Sequence, residues 1–160
     1  MLKKLKGFLM KKILFIFIFT TSSFAYTLSI HDKFPNMLLP DQFGKPHNIP
    51  VNTKTVLLTF DKTGRDLIKN FMKDKEESDF FKKNNIVYLM DNSAIPEIFK
   101  KFFYNPIMKK YPFKILILND TFRYLFLSKD DFVTVYKIKN MVIKDLLYIK
   151  DTEGLEELFK

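Results

Sequence analysis

Asp61-Lys62-Thr63-Gly64-Arg65 is the densest group of residues whose types and spacing could do chemistry. It stands between the β-branched and apolar run Thr55 to Phe60 and a stretch with Leu67, Ile68 and Phe71 at helical spacing. That pattern reads as a buried strand, a turn and a helix from Arg65. A guanidinium at a helix start, beside free N–H groups, suits a carboxylate or a phosphate; the alternative is a surface pair with Asp61 or Asp66. Thr63-Gly64 lacks the glycine pattern and lysine spacing of phosphate-binding loops. His31 and His47 are the only histidines, and their spacing fits no metal-ligand pattern, even with Asp32 or Asp41 beside them. Ser29, Ser93 and Ser128 lack the setting of a hydrolytic nucleophile. Acidic residues alternate with lysines, so no general acid/base pair emerges. The chain has no cysteine, and only a thiolate performs disulfide exchange or peroxide reduction through sulfur. No catalytic, cofactor-binding or metal-binding residue is assigned.

The elements around that group follow from turn signals and apolar spacing. Phe34 to Ile49 reads as a short strand, an Asp/Gly turn and a returning strand. Lys73 to Ser78 is polar and breaks the first helix, which Asp79 to Lys83 continues with Phe80 and Phe81 turned inward. Ile86 to Met90 is a second buried strand. Pro96 opens a helix through Ile98, Phe99, Phe102 and Phe103, which Asn105-Pro106 interrupts. Those phenylalanines and Tyr104 nearly fill a helical turn, more than one face can bury, and any exposed remainder marks a contact surface. Tyr111-Pro112 leads a third strand, Phe113 to Leu118. Thr121 to Leu127 is β-prone and reads as pairing back across Asn119-Asp120. Phe132 to Ile138 and Met141 to Tyr148 form a hairpin turning at Lys139-Asn140. A closing helix is capped by Asp151 or Thr152. The layout is a mixed α/β sheet with helices on both faces.

Charge and hydropathy divide the chain unevenly. Of 27 basic residues, five precede Ile13, ahead of any acid. Without Met1 to Ala25, 22 basic and 18 acidic residues remain, an ordinary balance with no clustered phosphate-binding face, so nucleic acid is not an expected partner. Ile13 to Phe19 is an apolar core after Lys11-Lys12, and Ser23 and Ala25 suit a signal peptidase, so residues 1–25 read as a signal peptide and 26–160 as one domain. Met10 could serve as the start of a shorter leader. An uncleaved leader, which would make the chain a structural or assembly factor held at the inner membrane, is the alternative, though it would place Lys11 and Lys12 in the membrane. Export leads to an oxidising compartment, here without disulfides, so stability must come from packing.

The opening Phe34-Pro35…Leu39-x-Asp41-Gln42-x-Gly44-Lys45-Pro46, the strand Val56-Leu57-Leu58-x-Phe60 and Tyr111-Pro112 before an apolar strand together resemble the thioredoxin superfamily, over about Phe34 to Phe159. Asp91-x-Ser93-x-x-Pro96 is similar to stretches in cysteine-free exported relatives. The resemblance implies a thioredoxin-like mixed sheet flanked by helices. It puts Arg65 and Ile68 near the two positions where redox members carry cysteine. It also implies that Tyr111-Pro112, if cis, holds backbone exposed for a peptide; otherwise the proline only shapes the strand. The candidate docking surface is then Asp61, Lys62, Thr63, Gly64, Arg65, Ser93, Pro96, Tyr111 and Pro112. Its expected partner is a periplasmic protein or peptide, with the membrane met only through an uncut leader. An enzyme of another class would have only Asp61, Arg65 and Asp91 to use.

Overall fold

The computed structural model describes residues 26–73, 75 and 79–160. The expected signal peptide lies outside them.

Three apolar runs become adjacent parallel strands. β3 (Thr55–Thr59) pairs with β4 (Ile86–Asp91), and β4 pairs with β5 (Leu116–Leu118). Every residue of β3 and β4 is buried, as continuous apolar runs in a doubly covered sheet require. On its other side β3 pairs antiparallel with β6 (Val133–Lys139), which pairs antiparallel with β7 (Val142–Ile149), giving the order β5-β4-β3-β6-β7. Before the sheet, β1 (Leu38–Pro40) and β2 (Pro46–Asn48) form the expected hairpin around Gly44.

Alternation along the strands divides the core in two. Val56, Leu58, Leu89, Tyr136 and Ile138 face a layer made by Phe34, Met37, Leu39 and Phe126. Leu57, Tyr88, Met90, Val133 and Val135 face helix α1 (Lys62–Lys73) and the closing helix α6 (Thr152–Leu158). Helix α2 (Phe80–Lys83) adds Phe81 to that second layer, while Phe80 packs against Phe71 and Phe159. Asp151, not Thr152, caps α6, its carboxylate accepting from Gly154 N–H at 2.8 Å. The chain from Leu28 to Phe34 is tied to the far hairpin by Phe34 N–H to Met141 O (2.7 Å) and Ile143 N–H to Asp32 O (2.9 Å).

Five expectations need correction. The third strand runs over Leu116–Leu118 rather than Phe113 to Leu118, because the Gln42 side chain, not a neighbouring strand, takes Phe113 O and Ile115 N–H (2.8 and 3.0 Å). Helix α1 begins at Lys62 rather than Arg65, because Asp61 accepts the Gly64 N–H at 2.8 Å and turns Lys62-Thr63-Gly64 into the first helical turn. The hairpin turns at Asn140-Met141, both with positive φ (54° and 59°), one residue later than the sequence suggests. Thr121 to Leu127 forms no returning strand. Asn119 accepts from Phe122 N–H and starts a short helix, α5 (Asp120–Arg123), so a local cap outweighs β propensity. Finally, Asn105-Pro106 does not stop its helix. α3 (Glu97–Phe99) runs through a π-helical turn (Lys100–Tyr104) into α4 (Asn105–Met108). A proline offers no N–H to the preceding turn, and the wider π turn absorbs that missing bond and the ring's bulk.

Candidate functional site

The carboxyl ends of β3, β4 and β5 open onto one corner of the molecule, where ligands commonly sit in open α/β sheets. Asp61 spends both oxygens on structure there: one caps α1, and the other accepts from Asp131 N–H at 2.6 Å. Gly64 is needed for close approach. A Cβ at this position would lie 2.7 Å from Phe132 O and 3.2 Å from Thr59 Cγ2. Gly64 thus holds α1 against the strands and cradles nothing.

Arg65 is half-buried. Its guanidinium lies over the Tyr104 ring, 5.4 Å from the centroid, and donates a long hydrogen bond (3.5 Å) to Asp91 O. The pair beside it on α1 is Lys62 with Asp66 at 4.0 Å. Ile68 is buried in the helical core layer. Asp91, at the end of β4, is 2% exposed; Ser93 N–H donates to one oxygen at 2.8 Å, and Arg123 Nε donates to the other at 2.6 Å. Arg123 was invisible as a partner while its segment read as a strand, and Asn119 as a helix cap after β5 is the signal that exposes it. Ser93 contributes its amide.

A cleft of about 380 Å³ lies between the first turns of α1 and the α3–α4 arm. Its walls are Tyr88, Met90, Ile95, Tyr104, Tyr111 and Phe113, with Lys62, Arg65, Asp66 and Lys69 on the same lining. Burial pushes the Tyr104 hydroxyl up to about 12, although the Arg65 charge pulls against that shift. Tyr111 is raised for the same reason, burial first. The Tyr104 hydroxyl donates to Met90 Sδ at 3.2 Å. Of the expected docking residues, Lys62, Arg65 and Tyr111 meet at this cleft. Pro96 lines a shallower neighbouring hollow, and Pro112 lines a separate cavity with His47 and Lys114.

The Tyr111–Pro112 bond is trans, there being no cis peptide among the described residues. The backbone beyond it is also occupied, for Gln42 donates from Nε2 to Phe113 O (2.8 Å) and accepts from Ile115 N–H (3.0 Å). Gln42 thereby fills the positions an added strand would use just before β5. His47 Nε2 meets Asp41 at 2.8 Å; burial opposes Asp41 ionisation, but the Lys45 amide, His47 and the Phe43 amide outweigh it and hold the carboxyl below its ordinary range. Among the described residues no cluster of three metal-ligating side chains occurs.

No protein-family model and no curated protein sequence matches the chain. Solved structures do. A proposed protein disulfide isomerase from Bacteroides thetaiotaomicron superposes with a TM-score of 0.52 at 15% identity, covering 83% of this chain and 87% of that one. A peroxidoxin from Mycobacterium tuberculosis gives 0.51 at 14% identity over 82% and 93% of the two chains. The thioredoxin domain of a thiol-disulfide oxidoreductase from Bacteroides vulgatus gives 0.50 at 14% over 83% and 99%. At such identities the likeness speaks for architecture alone. The chain has the thioredoxin-like fold, and it has that fold without a single cysteine.

Proposed function

We propose that this is an exported, redox-inactive thioredoxin-fold module that binds a protein or peptide in the periplasm. The leader-like residues 1–25 support export, and the missing sulfur supports inactivity in thiol exchange. One observation carries the binding reading: the cleft between α1 and the α3–α4 arm has aromatic and aliphatic walls, with Arg65 held at its edge on Tyr104. Apolar walls with a few placed polar groups suit an inserted apolar side chain, and Arg65 suits a neighbouring carboxylate. The non-thiol enzyme reading has less to draw on, because Asp61 and Asp91 are engaged by backbone amides and Arg123.

Selection of a displayed peptide library against the chain tests this reading. The expected consensus sets an aromatic or aliphatic residue beside an acidic one. Arg65→Ala should weaken the selected peptide about tenfold or more, the worth of a charge-assisted hydrogen bond. Peptides that bind Arg65→Ala and the parent chain equally would remove the cleft from the account.

A further inference from the structure

The α3–α4 arm leaves its large side chains in solvent. Ile98, Phe99, Phe102, Phe103 and Ile107 are each more than half exposed, from 52% to 65%. Met108 is the arm's buried residue, while Tyr104 is half-buried against Met90. Phe99 and Phe103 pack ring to ring at 5.8 Å above an open, nearly all-apolar hollow of about 430 Å³ floored by Ala94, Ile95 and Pro96. Such a patch exceeds the scattered exposed apolar residues of an ordinary surface.

Charge selects what covers it. Between Glu97 and Lys110 stand Lys100, Lys101, Lys109 and Lys110 against one acid, Glu97, which is already paired with Lys100 at 2.7 Å. Lys101 Nζ sits 5.6 Å from the Phe102 ring centroid, so charge and aromatic surface are interleaved. A second copy docked face to face would set this net-positive patch against another of the same charge. The lining of the hollow offers Tyr104 as its one polar side chain, leaving little to orient a specific protein. Exposed phenylalanines on a short helical arm with flanking lysines have the composition of a segment lying in a bilayer interface. We infer that the α3–α4 arm docks on an anionic lipid surface, with Phe99, Phe102 and Phe103 among the headgroups and Lys101, Lys109 and Lys110 against the lipid charge. This contact belongs to the folded domain rather than to the leader, and it adjoins the cleft, because Ile95, Tyr104 and Ile107 line both the hollow and the cleft.

The chain has no tryptophan, so Phe102→Trp in the full-length protein gives a single reporter on the arm. Val51→Trp gives a matched reporter just before β3, at the opposite end of the sheet, where Val51 is 81% exposed. Both proteins carry residues 1–25, so tethering by the leader affects both alike. Added to phosphatidylcholine vesicles containing phosphatidylglycerol, the Phe102→Trp emission should blue-shift and be quenched by bromine on the acyl chains, and that of Val51→Trp should do neither. Combining Lys101→Glu, Lys109→Glu and Lys110→Glu should weaken the Phe102→Trp response by about a hundredfold in lipid concentration. Unchanged emission, an equal response on pure phosphatidylcholine, or an equal response from both reporters would overturn the inference. A blue shift without vesicles that dilution reverses would replace lipid with a second copy, and a shift caused by a soluble acidic peptide alone would replace it with a protein.

Discussion

The corner around Asp61 and the α3–α4 arm lie side by side at one end of the sheet and use their residues in opposite ways. At the corner, polar groups are spent inward: Asp61 caps a helix and pins Asp131, Asp91 holds Ser93 and Arg123, and Gly64 allows a contact no side chain would permit. The arm turns phenylalanines outward and buries little beyond Met108. Position at the end of a parallel sheet therefore does not by itself make a reactive site. What separates the two regions is whether side chains already have internal partners. The cleft between them joins a fixed wall to an exposed one through Arg65 and Tyr104.

The contrast can be broken most forcefully at Arg123. Arg123→Ala leaves the buried Asp91 carboxylate without its cation and should cost about 2–4 kcal/mol in urea unfolding, somewhat under the full value for a buried pair because Arg123 is itself partly exposed. A loss below ~0.5 kcal/mol would mean that the corner is not held as described. Gly64→Ala comes next. The added methyl meets a backbone carbonyl that cannot step aside, and about 1–3 kcal/mol should be lost in the same assay.

The junction answers to pH. Tyr104 should ionise near pH 12, followed by its ring-carbon NMR signal, and Arg65→Ala should move that midpoint higher, because the cation beside the ring favours the phenolate. A raised value means that Tyr104 supports the folded state fully below the ordinary phenol range, and that this support fades as pH climbs from 10 towards 12. A midpoint near 10 would show Tyr104 to be solvated and the cleft open. The smallest effect belongs to the arm. Phe102→Ser should change stability by no more than about 0.5 kcal/mol, since its side chain is already in water and the two residues have similar helix propensity. A large loss would move Phe102 from contact surface to core.

Local chemistry made much of this legible. Continuous apolar runs marked β3 and β4 as doubly covered, and Gly44 marked the first hairpin. Asp151-Thr152 announced the last helix, because cap, turn and burial patterns act over a few residues. The same local rules misread Thr121 to Leu127, where aromatic β propensity yielded to the Asn119 cap, and Asn105-Pro106, where a π turn carried the helix past the proline. Arg65 was found by its place after the central strand, but its contacts were not, since they come from the end of β4 and from the arm.

The amino-acid order alone determined the mixed sheet, its central strands and the absence of any sulfur nucleophile, because periodicity and composition need no knowledge of distant neighbours. Only the tertiary structure decided that Gln42 covers the backbone just before β5, that Arg123 neutralises Asp91 from 32 residues away, and that three phenylalanines of the arm stay in solvent. Each of these depends on which segments meet in space. A side chain's burial and partners are set by that meeting rather than by its own type.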